Sequence, residues 1–347
     1  MARAASSCHF RAVMQYASPT DQFFETVNAF QRTSALNAAV ELGLFTAIAS
    51  GAEQAETIAA RCSATRRGIR ILCDYLVTIG LLGKSGERYR LAPCAELYLA
   101  EGSPWYLGRS LGFLNSPAML KSFADLGRAV RGGEEAGVGF LAPEHAAWKD
   151  YARAMMPLAA EASNAIAALL AEQGEEVRRI LDIAAGHGAF GIAVAVRHVC
   201  AEVVAVDWAN VLAVARENAV AAGLDGRYKT LAGDATAIVL GADYDVALVA
   251  NFLHHFDRSH CVALLRRVCE ALREGGRLAV LEFVANEDRV SPPVAAAFAI
   301  TMLATTPAGD VYTLNELQGM LEEAGFAAIE SQSFPAPQTI LIARKPV

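Results

Sequence analysis

Glycines, acids and histidines recur in this chain at spacings that suit a nucleoside-bearing ligand and a mobile proton. Gly186-x-Gly188-x-x-Gly191 follows the apolar stretch Ile180-Leu181-Asp182-Ile183 and opens an Ala/Val-rich run, so it reads as a turn from strand into helix. Glycines there let a ligand approach the backbone. Asp207 ends a second apolar stretch, Val203–Asp207, 21 residues beyond Gly186, where an acid accepts hydrogen bonds from ribose hydroxyls. NAD and S-adenosylmethionine both need these features, and two details favour the sulfonium cofactor. A carboxylate at Asp182 would repel a pyrophosphate but suits the ammonium of a methionine moiety. Gly233-Asp234-Ala235 follows a third strand, where an acid can accept from an adenine amino group while Trp208 covers a base face.

His254 and His255 come just after the apolar run Val246–Ala250, at the strand end where doubly wound folds place their ligands. Either imidazole can exchange a proton near neutral pH. Glu282 ends another apolar strand beside the same cleft. His187 reads as a loop residue beside the cofactor. The seven cysteines (8, 62, 73, 94, 200, 261, 269) form no CxxC, and no carboxylate cluster is left over for Mg²⁺, so no metal is expected.

These groups need a scaffold. Strands at 180–183, 203–207, 228–231, 245–251 and 277–283 alternate with helical stretches of 10–15 residues, which predicts an α/β domain with a doubly wound, mostly parallel sheet. Upstream, helical spacing over Asp21–Ile48, short helices at Glu56–Cys62 and Arg67–Ile79, and a hairpin about Gly83–Arg88 form a winged-helix pattern. Residues 93–175 read as helical, broken by Pro104, Pro117, Gly132-Gly133 and Pro143.

Composition narrows the functions. The 347 residues carry 30 Lys+Arg against 37 Asp+Glu, a formal charge of −7 that disfavours nucleic acid and anionic membranes as partners. Arg66, Arg67 and Arg70 open the recognition-helix position but read as a solvated helix start or a dimer contact. With 54% hydrophobic residues the chain is globular, and the longest apolar stretches, such as Val294–Leu303, are too short to span a bilayer. Without a signal-peptide block and with reduced thiols, a cytoplasmic protein is expected.

Residues in this order, over about 21–345, resemble the cation-independent small-molecule O-methyltransferases. Leu42-Gly43-Leu44-Phe45 is similar to the family's N-terminal module, and Tyr151-Ala-Arg-Ala-Met155 to the helix whose Met packs on substrate. Leu253-His254-His255-Phe256 resembles the family's Leu-His-Asp-Trp segment, and Met302–Thr313 its Met-Leu-Ala-x-x-Pro-Gly-Gly-Lys-Glu-Arg-Thr segment. The resemblance implies a dimerising winged-helix domain and a Rossmann-like class I methyltransferase domain using S-adenosylmethionine, with S-adenosylhomocysteine as product. It places His254 as catalytic base and Glu282 beside it. Asp182, Ala184, Gly186, Gly188, Asp207, Trp208, Gly233, Asp234, Ala235 and Asn251 are the expected cofactor contacts, and Trp148, Met155, Phe298 and Met302 the expected substrate contacts. The chain departs from the pattern at Ala184 and Ala185, which replace two loop glycines, at His255, which replaces Asp, and at Val311, which replaces a second flanking Glu. Asp310 is the candidate to stand in for that Glu.

The expected organisation is a lead-in at 1–20, a winged-helix dimerisation domain at 21–110, a helical linker and substrate-lining region at 111–175, and the cofactor-binding domain at 176–347. The expected function is methyl transfer to a hydroxyl, most simply a phenol, of a small, partly apolar molecule by a homodimer. Nitrogen or carbon methylation, non-methylating chemistry on the same scaffold, a ligand-sensing DNA-binding regulator and an NAD oxidoreductase remain alternatives.

Overall fold

A computed structural model describes residues 18–132, 145–172, 174–334 and 336–347. Most of the expected lead-in, Cys8 and Pro143 lie outside the described residues. The chain divides into two compact units after Gly108.

In the first unit the single helical run read at 21–48 is three helices: α1 (Pro19–Val27), α2 (Ala29–Glu41) and α3 (Leu44–Ala49). Gly43, at φ +65, makes the break that a side chain would resist. Helices α4 (Ala55–Arg61) and α5 (Arg66–Thr78) follow, then strands β1 (Leu82–Ser85) and β2 (Arg88–Leu91), then α6 (Pro93–Tyr98). Thr65 caps α5 by accepting from Gly68 N–H, and Gly80 at φ +78 follows its end. β1 and β2 pair antiparallel as a wing, and Leu44, Phe45, Ile58, Ile69 and Leu76 fill the core. Arg66 pairs with Glu56, and Arg70 with Asp74, so two of the three arginines that a DNA-reading helix would use are met locally. Phe23, Phe24, Val27 and Phe30 lie 54–64% exposed on α1 and the start of α2.

The second unit opens with α7 (Leu111–Leu114), α8 (Pro117–Ala124), α9 (Leu126–Val130) and the long α10 (Ala146–Glu172). Alternating elements follow: β3 (Arg179–Ile183), α11 (Ala189–Arg197), β4 (Glu202–Asp207), α12 (Ala209–Ala221), β5 (Tyr228–Ala232), β6 (Tyr244–Ala250), α13 (Arg258–Ala271) and β7 (Leu272–Phe283). Helices α14 (Pro293–Thr305) and α15 (Leu314–Glu323) and strands β8 (Ala327–Ser333) and β9 (Gln338–Arg344) complete it. The sheet order is β5-β4-β3-β6-β7-β9-β8, parallel through β7 and antiparallel at β9 and β8. Strand β8, Ala-Ala-Ile-Glu-Ser-Gln-Ser, is an exposed edge without an apolar run, while β9, with Ile340, Leu341, Ile342 and Ala343 buried, lies inside the sheet and was passed over by the sequence reading.

Helix α10 is long and apolar enough, by length and composition, to cross a membrane over Trp148–Glu172, which corrects the estimate from short apolar stretches alone. Ala162, Ile166, Ala167 and Leu170 on this helix pack into the sheet core. Buried Arg277 ties β7 to the helix end by donating to the Leu170 carbonyl at 2.8 Å.

The segment after α14 closes on the turn that follows β6. Tyr312 donates its hydroxyl to the Phe256 carbonyl at 2.5 Å. A Cβ at Gly309 would collide with the His254 carbonyl oxygen and Thr306 Oγ1, so only glycine permits this approach. Gly309→Ala should therefore destabilise the protein by about 1–3 kcal/mol, the usual range for overpacking. Equilibrium urea unfolding measures it, and an unchanged midpoint would refute the close-contact argument.

Candidate active site

The histidine turn sits at the carboxyl end of β6 and is organised by one carboxylate from β7. Glu282, 2% exposed, ends an apolar strand and turns under the turn. Its Oε1 accepts the backbone N–H groups of Phe252 and Leu253 at 2.8 and 2.7 Å. Its Oε2 lies 2.6 Å from His254 Nδ1. With Nδ1–H donating to a carboxylate, Nε2 is the ring nitrogen left to accept a proton. Phe298 of α14 stands edge-on to the His254 ring, with centroids 4.8 Å apart, and stacks on Phe283 at 4.2 Å.

His255 is not turned away from this region, as its place one residue further along suggests. Its ring centroid lies 4.5 Å from that of His254 and 6.3 Å from Trp148. Burial, and then the neighbouring His254, push its pKa well below the ordinary imidazole value, so it stays uncharged. Trp148, on α10, meets Phe113 at 6.1 Å and Tyr151 at 5.9 Å. No local pattern singles out Phe113. Tyr151 lay inside a recognised motif, but its own part was missed: burial, and then the charge of Glu282, raise its pKa.

Asp310 does not join the pair. Its side chain is 55% exposed, lies 3.9 Å from the Arg289 guanidinium and accepts the Val311 N–H. No hydrogen bond or ion pair links it to His254. Val311, where a second acid was expected, is buried with Ala285, Ala295, Phe283 and Phe298, so apolar packing occupies that flank. Met302 is also a core residue, 4% exposed, rather than a wall of the cleft. Met155 is half-buried on α10.

At the other strand ends the glycine loop is held by the acids around it. Asp207 accepts from Gly186 N–H at 2.8 Å and from Trp208 N–H at 2.7 Å, and burial raises its pKa against those two bonds. Asp182, 1% exposed, accepts from Gly191 N–H at 3.0 Å. A Cβ at Gly191 would come 2.7 Å from that carboxylate, and one at Gly188 would come 2.6 Å from the Tyr228 hydroxyl. The glycines thus serve helix–strand packing as well as ligand approach. His187 Nδ1 accepts from Ala189 N–H at 3.1 Å, and burial lowers its pKa to about 4.

Trp208 precedes α12 and packs beside Trp148, Ala152 and Val211. Exposed Asp234 accepts from Thr236 N–H and Oγ1 at 2.8 and 2.7 Å, and Gly233 before it takes φ +156. Ala235 is buried, its carbonyl accepting from Arg267. Ala184, at φ +51, keeps the backbone shape that its missing glycine would favour. Asn251, at φ +52 just past β6, holds Oδ1 shielded from solvent and without a partner. Positive-φ glycines, an acid ending β4 and an unsatisfied acceptor ending β6 fit a nucleoside ligand that carries hydroxyl and amino donors. Among the described residues no group of three or more His, Cys, Asp or Glu could hold a metal.

Comparison with known proteins agrees with this arrangement. Residues 143–327 match the O-methyltransferase domain and residues 24–101 the O-methyltransferase dimerisation domain. The 3-hydroxy-5-methyl-1-naphthoate 3-O-methyltransferase of Streptomyces sahachiroi is 30% identical over 315 residues, 88% of this chain and 89% of that one. The N,N-dimethyltransferase OxyT of Streptomyces rimosus is 28% identical over 270 residues, 76% of this chain and 78% of that one. A crystal structure of a candidate O-methyltransferase from Nostoc punctiforme PCC 73102 superposes with a TM-score of 0.90 at 45% identity, covering 95% of this chain and 100% of that one. The chain belongs to the O-methyltransferase family. It is an S-adenosylmethionine-dependent O-methyltransferase, with the class I methyltransferase fold.

Burial pushes the Asp182 carboxyl up to about 8, against its bond to Gly191 N–H. An unfolded Asp titrates near ~3.9. Between those values the folded state holds the extra proton, so stability falls as pH rises from about 4 to about 8. Asp182→Asn, which can still accept from Gly191 N–H, should flatten that slope. Chemical denaturation across the range checks this, and an equal slope in both proteins would show that Asp182 is not its source.

Proposed function

We propose that His254 is the general base for methyl transfer to the hydroxyl, most simply phenolic, of a small, partly apolar acceptor. The observation that carries this is the buried Glu282 carboxylate, 2.6 Å from Nδ1, which fixes the ring tautomer with Nε2 free to accept. Glu282 also offsets the positive charge that His254 gains as it takes the hydroxyl proton. S-adenosylmethionine, when bound, supplies the electrophilic sulfonium methyl. Asp207, Asn251 and the Gly186–Gly188 turn would hold it, with Trp208 and Asp234 near its base. Trp148, Tyr151, Met155, Phe113 and Phe298 supply apolar walls for the acceptor. Much of the acceleration would come from holding the two reactants in line. The acceptor of the Streptomyces sahachiroi relative is a hydroxynaphthoate, which supports a fused or single arene here.

A homodimer formed through the first unit completes this reading. The exposed Phe24, Val27 and Phe30, on a segment matching a dimerisation domain, and Phe23 just before it support it. Four buried free thiols, Cys62, Cys73, Cys261 and Cys269, support a cytoplasmic setting. Light scattering should give twice the monomer mass at micromolar concentration, and a monomer there would refute the dimer.

His254→Ala should leave S-adenosylhomocysteine affinity unchanged while turnover falls about 10²–10⁴-fold. Glu282→Gln should fall between wild type and His254→Ala, because the amide can donate toward Nδ1 and favour the wrong tautomer. Stopped assays with isotopically labelled methyl donor measure both. Retained turnover in His254→Ala would remove the base and favour an amine acceptor, the reading to which the N,N-dimethyltransferase relative points.

A further inference from the structure

We propose that Trp148 and His255 form a subsite that reads a second hydroxyl next to the one being methylated, so that the acceptor is a vicinal dihydroxy arene. The inference rests on the reading of His254 as the place where the reacting hydroxyl is held. Trp148 Nε1 and His255 Nδ1 are both shielded from solvent, and neither has a hydrogen-bond partner. Native proteins leave few such groups, because burying a polar atom without a partner forfeits its bonds to water. The two rings lie 6.3 Å apart at 86°, an arrangement in which one small polar group can meet both.

The chemistry of the two nitrogens selects that group. An indole N–H only donates. His255 is uncharged, so its Nδ1 is able to accept. A hydroxyl satisfies both at once, accepting from Trp148 and donating to His255. A carboxylate fits less well, because the charge of Glu282 reaches Tyr151, which stacks against Trp148. Among the described residues no Lys or Arg lies over either ring to balance it.

Spacing selects where the hydroxyl sits. The His254 and His255 rings are 4.5 Å apart between centroids, so groups held at the two rings belong to neighbouring ring carbons of one acceptor. Phe113, 4.6 Å from Tyr151 and 6.1 Å from Trp148, gives the arene a flat apolar wall.

The test is calorimetric binding to the S-adenosylhomocysteine-loaded protein, without turnover. The probes are 1,2-dihydroxynaphthalene, 2-naphthol and 3-hydroxy-2-naphthoate. The diol should bind at least about tenfold tighter than 2-naphthol, because a site built to bond a hydroxyl rejects the analogue lacking it. Trp148→Phe and His255→Phe should each bring that ratio close to one with S-adenosylhomocysteine affinity unchanged, and His255→Asn should restore part of it. Equal binding of diol and 2-naphthol by the wild type overturns the proposal. So does tighter binding of the carboxylate, or no binding of any probe. A ratio preserved in both Phe variants also overturns it, since neither nitrogen would then read the second hydroxyl. His254→Ala keeps the outcomes separable: failure of the base assignment appears in its turnover, failure of the subsite in the binding ratio.

Discussion

The carboxylate of Glu282 is the point on which the second unit's chemistry turns. Burying a charge is expensive unless it is fully hydrogen-bonded, and here two backbone N–H groups and one imidazole N–H supply the bonds. The same three bonds fix the turn after β6 to β7, so one interaction sets both a backbone conformation and a side-chain tautomer. Its neighbours follow from it. Gly309 is pressed against the His254 carbonyl, Tyr312 bonds the Phe256 carbonyl, and Phe298 stands edge-on to the ring. A second acid on the far flank is absent, and Val311 fills that side with apolar contacts. Glu282 is thus the acid that meets the His254 ring, and the other flank is apolar.

The glycine loop obeys a different rule. Its acids face the protein as much as the ligand: Asp182 and Asp207 spend oxygen lone pairs on Gly191 and Gly186 N–H groups. Each carboxylate has lone pairs to spare. Asp207 ends its strand, half-exposed, and keeps room for hydroxyl donors, whereas Asp182 is enclosed and bonds to Gly191. Two residues of one type, a strand apart, thus do different work because one is buried and the other half-exposed.

Much of this was legible in the sequence, and the gaps have physical causes. The four inner parallel strands, β3, β4, β6 and β7, announce themselves through apolar runs that lead to Asp182, Asp207, Asn251 and Glu282, because strands covered on both faces must be apolar along their length. The edge strand β8 did not, since an exposed strand needs no such pattern, whereas the short buried run Ile340–Ala343 of β9 was overlooked. Spacing placed His254 and Glu282 at adjacent strand ends, and parallel register brings them together. It could not place Asp310, whose direction depends on Arg289, 21 positions earlier in the chain. Phe113 was invisible because its partners, Trp148 and Tyr151, lie more than thirty residues away along a helix whose packing no local pattern fixes.

The antiparallel end of the sheet also sets an order of events during synthesis. Glu282 lies opposite Thr339, in a strand that follows β7 in the chain. Until β9 docks, β7 is an open sheet edge, with its outer backbone groups unpaired and its final residues free to twist. The growing chain can assemble the glycine loop and strands β3 to β6 from segments already made. The strand that carries Glu282 gains its second neighbour only when β9 docks, so the carboxylate that holds the histidine turn is braced on one side alone until then.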